Sequence, residues 1–359
     1  MGKGRTLGLA KKHLIGLDVD TASVRMIQLR REKGEYTVMG AAFSDMAPRG
    51  DDQSQQQVNT VHAIRQCLDA LGPRSKLAVC GLRGPEVVVR GFEFPTLPPE
   101  EIEGAVELEA SQICPFGTED VTLDHQVTSD ADRRIQGFWV AATHSLVEGR
   151  KQVVREAGLQ CVLMDVDGLA LLNCLENAPG SASPQVGRDE TGRLDGARPA
   201  VLNVDDSYAT IAIVDHARRP FVRDVGSAGR DIIRHVAQET SMSDDAALAA
   251  LLGDAPADHG PLYSGLERAC ERLLDDLVTT LRYYAAQNRS APVSKVLVCG
   301  SFAVARGFIE LLSAKLPLEV ALWNPVVRMH CEGDRQSEAV LQRVGPSMAI
   351  AAGLAMRMI

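Results

Sequence analysis

Residues 14–18, Leu-Ile-Gly-Leu-Asp, open a pattern that occurs twice in this chain. They form a short apolar run that ends in Asp18, and a polar turn follows over residues 19–23 before the apolar run resumes. The same order of apolar run, acidic turn and second apolar run returns far downstream around Asp205. Short apolar runs separated by polar turns are typical of buried β-strands. The repeat therefore predicts two related halves, each with an aspartate at the end of its first strand.

Helical and strand patterns complete each half. In the first half, residues 55–71 carry apolar side chains at helical spacing, and residues 76–80 have the apolar run of a buried strand. In the second half, one long helical pattern covers residues 262–286, and residues 296–300 form a closing strand. Two halves of this kind predict a bilobed α/β protein.

The predicted lobes are residues 1–177 and residues 199–359. Between them, residues 178–198 are rich in Pro, Gly, Ser, Asp and Arg and lack an apolar face. This composition predicts a mobile loop or linker between the lobes. Within the first lobe, residues 84–143 add strand and helix patterns that have no counterpart in the second half. They are predicted to form an inserted α+β subdomain.

The composition limits the class of protein. A chain of 359 residues with 45% hydrophobic residues is long enough for two cored lobes. Its 38 basic and 47 acidic residues are mixed along the chain, so no basic stripe predicts nucleic-acid binding. The eight cysteines include no Cys-x-x-Cys pair, which indicates reduced thiols. No apolar run approaches the roughly 20 residues that a membrane helix needs. We therefore expect a cytoplasmic protein whose contact with a membrane is made through a partner or the basic N-terminus.

Two acidic turns that face each other across a cleft can bind a nucleotide with its magnesium ion. Backbone amides and hydroxyls hold phosphate oxygens, while carboxylates orient metal-bound water. Asp18 and Asp205 are the candidate carboxylates for magnesium, acting through water. The other candidate cofactor-binding residues are Thr21, Ser23, Arg25, Ser207, Gly226, Gly229, Gly300 and Ser301. A single turn of this kind is usually an ordinary turn former, so the prediction depends on the duplication.

Familiar enzyme motifs are missing, and no catalytic residue is identified. The chain has no Gly-x-Ser-x-Gly elbow, no His-Glu-x-x-His and no Gly-x-Gly-x-x-Gly fingerprint. Two functions remain open at this point. One is an assembly scaffold that works with or without ATP, and the other is a kinase-like enzyme or ATPase. The scaffold is favoured, because nothing in the sequence marks an acceptor site or the catalytic base that a kinase needs.

Several short motifs resemble one family in their order along most of the chain. The opening residues 14–18 lead into Ser-Val-Arg at residues 23–25, and Phe-Pro at residues 94–95 precedes Glu-Glu-Ile at residues 100–102. Leu-Arg-Tyr-Tyr at residues 281–284, Trp-Asn-Pro at residues 323–325 and Gly-Leu-Ala at residues 353–355 follow. In this order they resemble the PilM family of type IV pilus assembly proteins.

The resemblance implies a fold and a set of partners. PilM proteins resemble the cell-division protein FtsA, which implies an actin-like fold of the actin, Hsp70 and sugar-kinase superfamily with a replaced α+β subdomain. It also implies binding of ATP and magnesium, and a place at the cytoplasmic face of the inner membrane. The implied partners are the N-terminal tail of PilN, a bitopic membrane protein, and other pilus assembly components. The oligomeric state is left open.

The chain departs from the family pattern in the turns that would hold the nucleotide. Asp20 stands where the first turn is expected to have glycine, Ser207 replaces glycine in the second turn, and Ser301 replaces one of two paired glycines. Thr279 stands where the family often has an arginine near the adenine. An additional carboxylate at Asp20 would repel phosphate by about 1 kcal/mol or more at short range. These departures predict weak or absent ATP binding and weak or absent ATPase activity.

Overall fold

The computed structural model describes residues 14–46, 53–73, 75–131, 133–179, 187–188, 194–195, 198–215, 219–253, 259–287 and 292–357. Most of the linker predicted at residues 178–198 and the whole basic stretch at residues 1–12 lie outside these ranges. The linker therefore stays a prediction.

The first half of the chain contains, in order, β1 (Ile15–Val19), β2 (Ser23–Glu32), β3 (Glu35–Asp45), α1 (Gln53–Leu71), β4 (Leu77–Leu82), β5 (Val87–Pro95), α2 (Pro99–Ile113), β6 (Val121–Ala131), β7 (Arg134–Thr143), α3 (His144–Glu156), β8 (Gln160–Val166) and α4 (Asp167–Asn177). A short ladder of β9 (Gly187–Arg188) and β10 (Leu194–Asp195) follows.

The second half contains β11 (Arg198–Val204), β12 (Ala209–Val214), β13 (Pro220–Val225), α5 (Gly229–Thr240), α6 (Asp244–Leu252), α7 (His259–Ala269), α8 (Glu271–Gln287), β14 (Val293–Cys299), α9 (Phe308–Lys315), β15 (Glu319–Leu322), β16 (His330–Cys331), α10 (Arg335–Val344) and α11 (Ala349–Ala355). The single helical pattern predicted over residues 262–286 is divided into α7 and α8, which meet at Cys270.

The two repeated strand units occupy equivalent places in two sheets. The first sheet has the order β16-β3-β2-β1-β4-β8, and the second has the order β13-β12-β11-β14-β15. In the first sheet, β1 is antiparallel to β2 and parallel to β4. In the second sheet, β11 is antiparallel to β12 and parallel to β14. All five residues of β1 and all seven of β11 are buried, because helices cover both faces of these strands.

The inserted subdomain is a three-stranded sheet, ordered β5-β7-β6, with α2 packed against it. Its small core contains Phe92, Val106 and Trp139, all nearly or fully buried. This core is separate from the larger apolar clusters of the two main sheets. The subdomain therefore has its own packing and adds a surface beyond the repeated α/β halves.

The C-terminal part of the chain returns to the first sheet. β16 pairs with β3, where His330 lies opposite Thr37, and α11 packs against β1 and α4. This packing is close because glycines lie at the contact: a Cβ at Gly353 would overlap the carbonyl oxygen of Ala170. The arrangement differs from the predicted division, in which residues 199–359 form one lobe. The apolar residues 348–356 carry no signal in the sequence that selects one sheet over the other.

Among the helices of the described residues, none combines the length and the apolar character that a membrane crossing requires. Five of the eight cysteine side chains are buried, and all eight cysteines are free thiols.

Candidate functional site

Two tight turns face each other between the sheets. The first turn, residues 18–23, joins β1 to β2, and the Asp20 amide donates to the Ser23 carbonyl at 3.0 Å. The second turn, residues 205–208, joins β11 to β12, and the Asp205 amide donates to the Tyr208 carbonyl at 3.2 Å. Because each turn follows a central strand of its sheet, the two acidic strand ends meet in the interior. Asp18 and Asp205 are both fully buried.

Arg25 connects these two aspartates. It lies on β2 directly opposite Asp18, and its Nη1 donates to Asp18 Oδ2 at 2.8 Å. Its Nη2 donates to Asp205 Oδ1 at 3.0 Å. The Arg25 side chain has no exposed surface. The predicted role of Arg25 toward a phosphate stays a prediction, and in this arrangement its guanidinium joins the two sheets.

A second buried arginine, which the sequence reasoning did not identify, makes the same connection. Arg83 follows β4, and its Nη1 donates to Asp205 Oδ2 at 3.0 Å. It also forms ion pairs with Asp18 and Asp167. One signal could have found it. Because β4 is parallel to β1, a charged residue just after β4 must lie beside the end of β1, next to Asp18.

Charge balance inside this cluster shifts the pKa values of its members. Burial alone would raise the pKa of Asp205, but the guanidiniums of Arg25 and Arg83 outweigh it and hold the pKa well below its usual range. Burial alone would lower the pKa of Arg25, but the carboxylates of Asp205 and Asp18 raise it above its ordinary value. Burial raises the pKa of Asp167, and the nearby Arg83 opposes that shift only in part.

The tips of the two turns are also bonded to each other. Asp20 Oδ2 accepts from the Asp206 amide at 2.9 Å, and Asp20 Oδ1 accepts from the Ser207 hydroxyl at 2.8 Å. The Thr21 hydroxyl donates to Asp206 Oδ2 at 2.7 Å. Arg230 of α5 donates to the Thr21 hydroxyl at 3.1 Å and forms an ion pair with Asp206. The side chains of the turns therefore bind one another.

The two candidate magnesium carboxylates do not fit a metal ion in this arrangement. Both oxygens of Asp18 accept from guanidinium groups. Both oxygens of Asp205 do so as well, and they also accept from the Ser301 amide at 2.9 Å and the Asn203 side-chain amide at 3.0 Å. Magnesium needs oxygen ligands or ordered waters around it, whereas cationic donors occupy these positions. Within the described ranges, no group of three or more His, Cys, Asp or Glu side chains is placed to hold a metal.

A cavity of about 290 Å³ opens beside the turns. Four of the predicted cofactor-binding residues line it: Ser23, Gly229, Gly300 and Ser301. The rest of its wall is mainly apolar and includes Phe43, Ile233, Leu248, Leu252 and Phe302. Gly300 has a φ of 99°, and a Cβ there would overlap the Val204 carbonyl oxygen. Packing against β11 therefore already requires glycine at this position, whether or not a ligand approaches.

The ten predicted residues thus fall into four places. Asp18, Arg25 and Asp205 belong to the buried ion-pair cluster, and Thr21 and Ser207 make the bonds between the turn tips. The cavity is lined by Ser23, Gly229, Gly300 and Ser301. Gly226 lies elsewhere, in a groove of about 630 Å³ between β5 and β13. Sequence reasoning missed Arg83, Asp167, Asp206 and Arg230.

The comparisons with known proteins agree with this architecture. A family model described as type IV pilus assembly protein PilM matches residues 16–359. A chain of the structure titled "PilM-PilN type IV pilus biogenesis complex" has a TM-score of 0.78 at 21% identity, with 97% of this chain and 99% of that chain covered. The ethanolamine utilization protein EutJ from Carboxydothermus hydrogenoformans has a TM-score of 0.55 at 14% identity, with 97% and 90% covered. A diol dehydratase-reactivating factor has the same TM-score at 8% identity, with 96% and 99% covered. The actin-like fold predicted from the sequence is confirmed.

Proposed function

Because this chain belongs to the PilM family of type IV pilus assembly proteins, we propose that it works as a scaffold that receives the N-terminal tail of a PilN-like bitopic membrane protein. The family match over residues 16–359 carries this proposal. The likeness to a chain from a PilM-PilN complex supports it. The partner would hold the protein at the cytoplasmic face of the inner membrane and join it to other pilus assembly components.

The inserted subdomain is the proposed surface for the tail. Within the described part of the chain, its sheet has two edge strands, β5 and β6, each paired on one side only. An extended peptide can add to such an edge. Exposed apolar side chains are available on the same subdomain, at Leu108 and Ile113 of α2 and at Val127 of β6. They would give an extended tail apolar anchor points.

Charge supports the same surface. Helix α2 carries five glutamates and no basic residue: Glu100, Glu101, Glu103, Glu107 and Glu109. Cytoplasmic segments that flank a membrane helix are enriched in Lys and Arg. An acidic helix beside an open strand edge therefore suits a basic tail, and its charges would increase the rate and specificity of the encounter.

Binding of a tail peptide tests this assignment. The probe is a synthetic peptide with the N-terminal sequence of a PilN-like bitopic membrane protein from the same organism. We expect a Kd of about 1 μM, or about −8 kcal/mol. The double substitution Glu103→Lys with Glu107→Lys should weaken binding of the peptide at least about tenfold. Both side chains are exposed on α2, so the substitution reverses two charges that would attract a basic tail.

Glu310→Lys is a control for charge reversal elsewhere, since it reverses one exposed charge on α9, which packs against β15 of the second sheet. It should leave peptide affinity unchanged. If the α2 variant, folded by circular dichroism, binds as well as the original protein while changes on the second sheet remove binding, the tail has been assigned to the wrong surface.

We also propose that ATP binding is weak or lost, and that the chain is not a metabolic enzyme. The alternative function, a kinase-like enzyme or ATPase, requires a carboxylate that can act on water or on an acceptor. The oxygens of Asp18 and Asp205 are all engaged by guanidiniums. Phosphate release from Mg-ATP by purified protein should equal the buffer rate. Release above that rate, abolished by Asp205→Asn, would favour the enzyme.

A further inference from the structure

The cleft between the two sheets is crossed by side chains at two levels. Near the turn tips, Asp20 reaches from the first turn to the second turn. One layer deeper, Arg25 and Arg83 each contact both Asp18 and Asp205. The sheets that carry these residues are joined here by charged groups with almost no exposed surface.

The contacts of Asp20 are those that an anionic ligand would make. A phosphate oxygen held between two such turns accepts from backbone amides and hydroxyls, and Asp20 accepts from one of each on the second turn. Its carboxylate is buried, with the residue 4% exposed. Because Asp20 is part of the first turn, its carboxylate both provides the negative charge and links the first turn to the second.

The deeper layer adds two bridging arginines, Arg25 and Arg83. They lie between Asp18 and Asp205, the two carboxylates that the sequence predicted to face a magnesium ion. Each guanidinium touches one carboxylate from each sheet, so opposite charges alternate around the four groups. Breaking such a buried set leaves charges without partners, which is far more unfavourable than breaking exposed pairs. Separation of the sheets would break both layers at once.

We infer that this protein holds its two lobes closed with its own side chains, and that the Asp20 carboxylate takes the place of a nucleotide phosphate between the two turns. Closure then does not depend on nucleotide. The inference goes beyond the proposed partner binding, because it concerns what keeps the cleft shut, whatever the inserted subdomain binds.

Hydrogen exchange at the Asp206 amide tests the inference directly. In the full-length protein without nucleotide this amide should be protected, and saturating Mg-ATP should not change its exchange rate. In Asp20→Gly without nucleotide, exchange should be about tenfold faster or more, since the amide loses its charged acceptor. Mg-ATP should restore protection in this variant, and it should bind the variant at least about tenfold more tightly than the original protein. Because Arg25 and Arg83 still bridge the sheets in Asp20→Gly, its radius of gyration should stay close to that of the original protein.

Two further variants complete the experiment. Asp69→Asn removes one exposed carboxylate from α1 and should change neither exchange nor ATP affinity. Ser207→Ala removes one of the two hydrogen-bond donors that the second turn offers to Asp20. It should also speed exchange at the Asp206 amide, but by less than Asp20→Gly does. This variant serves as the test if Asp20→Gly does not fold. The inference is overturned if Mg-ATP increases protection in the original protein, or if both variants exchange at the original rate. Peptide binding is measured separately, so either proposal can fail alone.

Discussion

At the scale of single residues, the pairing of buried charge decides what the cleft can do. Four carboxylates, from Asp18, Asp20, Asp167 and Asp205, surround Arg25 and Arg83. Neither arginine can lose its charge in the pH range of proteins. Removal of one of them therefore leaves buried anions uncompensated, and removal of an exposed arginine does not.

Arg83→Met should lower the free energy of unfolding by about 3–5 kcal/mol, because the buried network loses one of its two arginines while Asp18 and Asp205 lose an ion-pair partner. Arg282→Met is the matched control on the exposed face of α8. It should change the free energy of unfolding by no more than about 0.5 kcal/mol. Urea unfolding followed by circular dichroism gives both values. Equal, small effects would show that Arg83 does not stabilise the cluster.

The low pKa of Asp205 makes part of its contribution depend on pH. Its folded pKa lies below the unfolded value of about 3.9, so its stabilisation is present above that value and is lost as the pH falls toward the folded pKa. Asp205→Asn removes the ionisable group. The difference in unfolding free energy between the original protein and Asp205→Asn should therefore narrow below pH 4, by up to about 1.4 kcal/mol per pH unit. A difference that is constant from pH 6 to pH 3 would mean that Asp205 has the same pKa in the folded and the unfolded protein.

At the scale of elements, the C-terminal helices explain how one end of the chain supports the other. α11 packs against β1 and α4 through glycine contacts, so the strand that carries Asp18 is supported by residues more than 300 positions away. A Cβ at Gly353 would overlap the backbone of Ala170. One of these backbones must then move.

Gly353→Ala should destabilise the protein by about 1–3 kcal/mol, the usual range for overpacking in a core, although alanine is the better helix former. Gly149→Ala is the control, because Gly149 lies in α3 with open space around it. It should be neutral or stabilising by up to about 1 kcal/mol. Thermal unfolding compares the two, and a stabilising Gly353→Ala would contradict the packing of α11 described above.

At the scale of the whole molecule, the duplicated strands allowed the fold to be predicted. Apolar runs ending in Asp18 and Asp205 are local signals, and they indicated two α/β halves because strand pairing in each half follows from the same pattern. The inserted subdomain was predicted because its patterns interrupt the repeat. The placement of α11 on the first sheet and the arrival of Arg83 at the cleft were not predicted. Both depend on contacts between distant segments, and the apolar or charged character of a residue does not name its partner.

The site could be predicted only in part for the same reason. The sequence located both turns and the unusual Asp20, and it gave the sign of the effect on phosphate. It did not show that Asp20 would accept from Asp206 and Ser207, because a bond across the cleft depends on how two distant turns are placed. The sequence led us to expect that Asp20 would repel a bound phosphate. In the structure, Asp20 instead accepts hydrogen bonds from the second turn.

We propose that this PilM-family chain is a scaffold that binds a membrane-protein tail without needing nucleotide. Isothermal titration of the purified protein with the N-terminal peptide of a PilN-like bitopic protein from the same organism, without nucleotide and with saturating Mg-ATP, tests this claim most directly. We predict a Kd of about 1 μM in both conditions, differing by less than about twofold. Binding that appears only with Mg-ATP, or no binding in either condition, would contradict the claim.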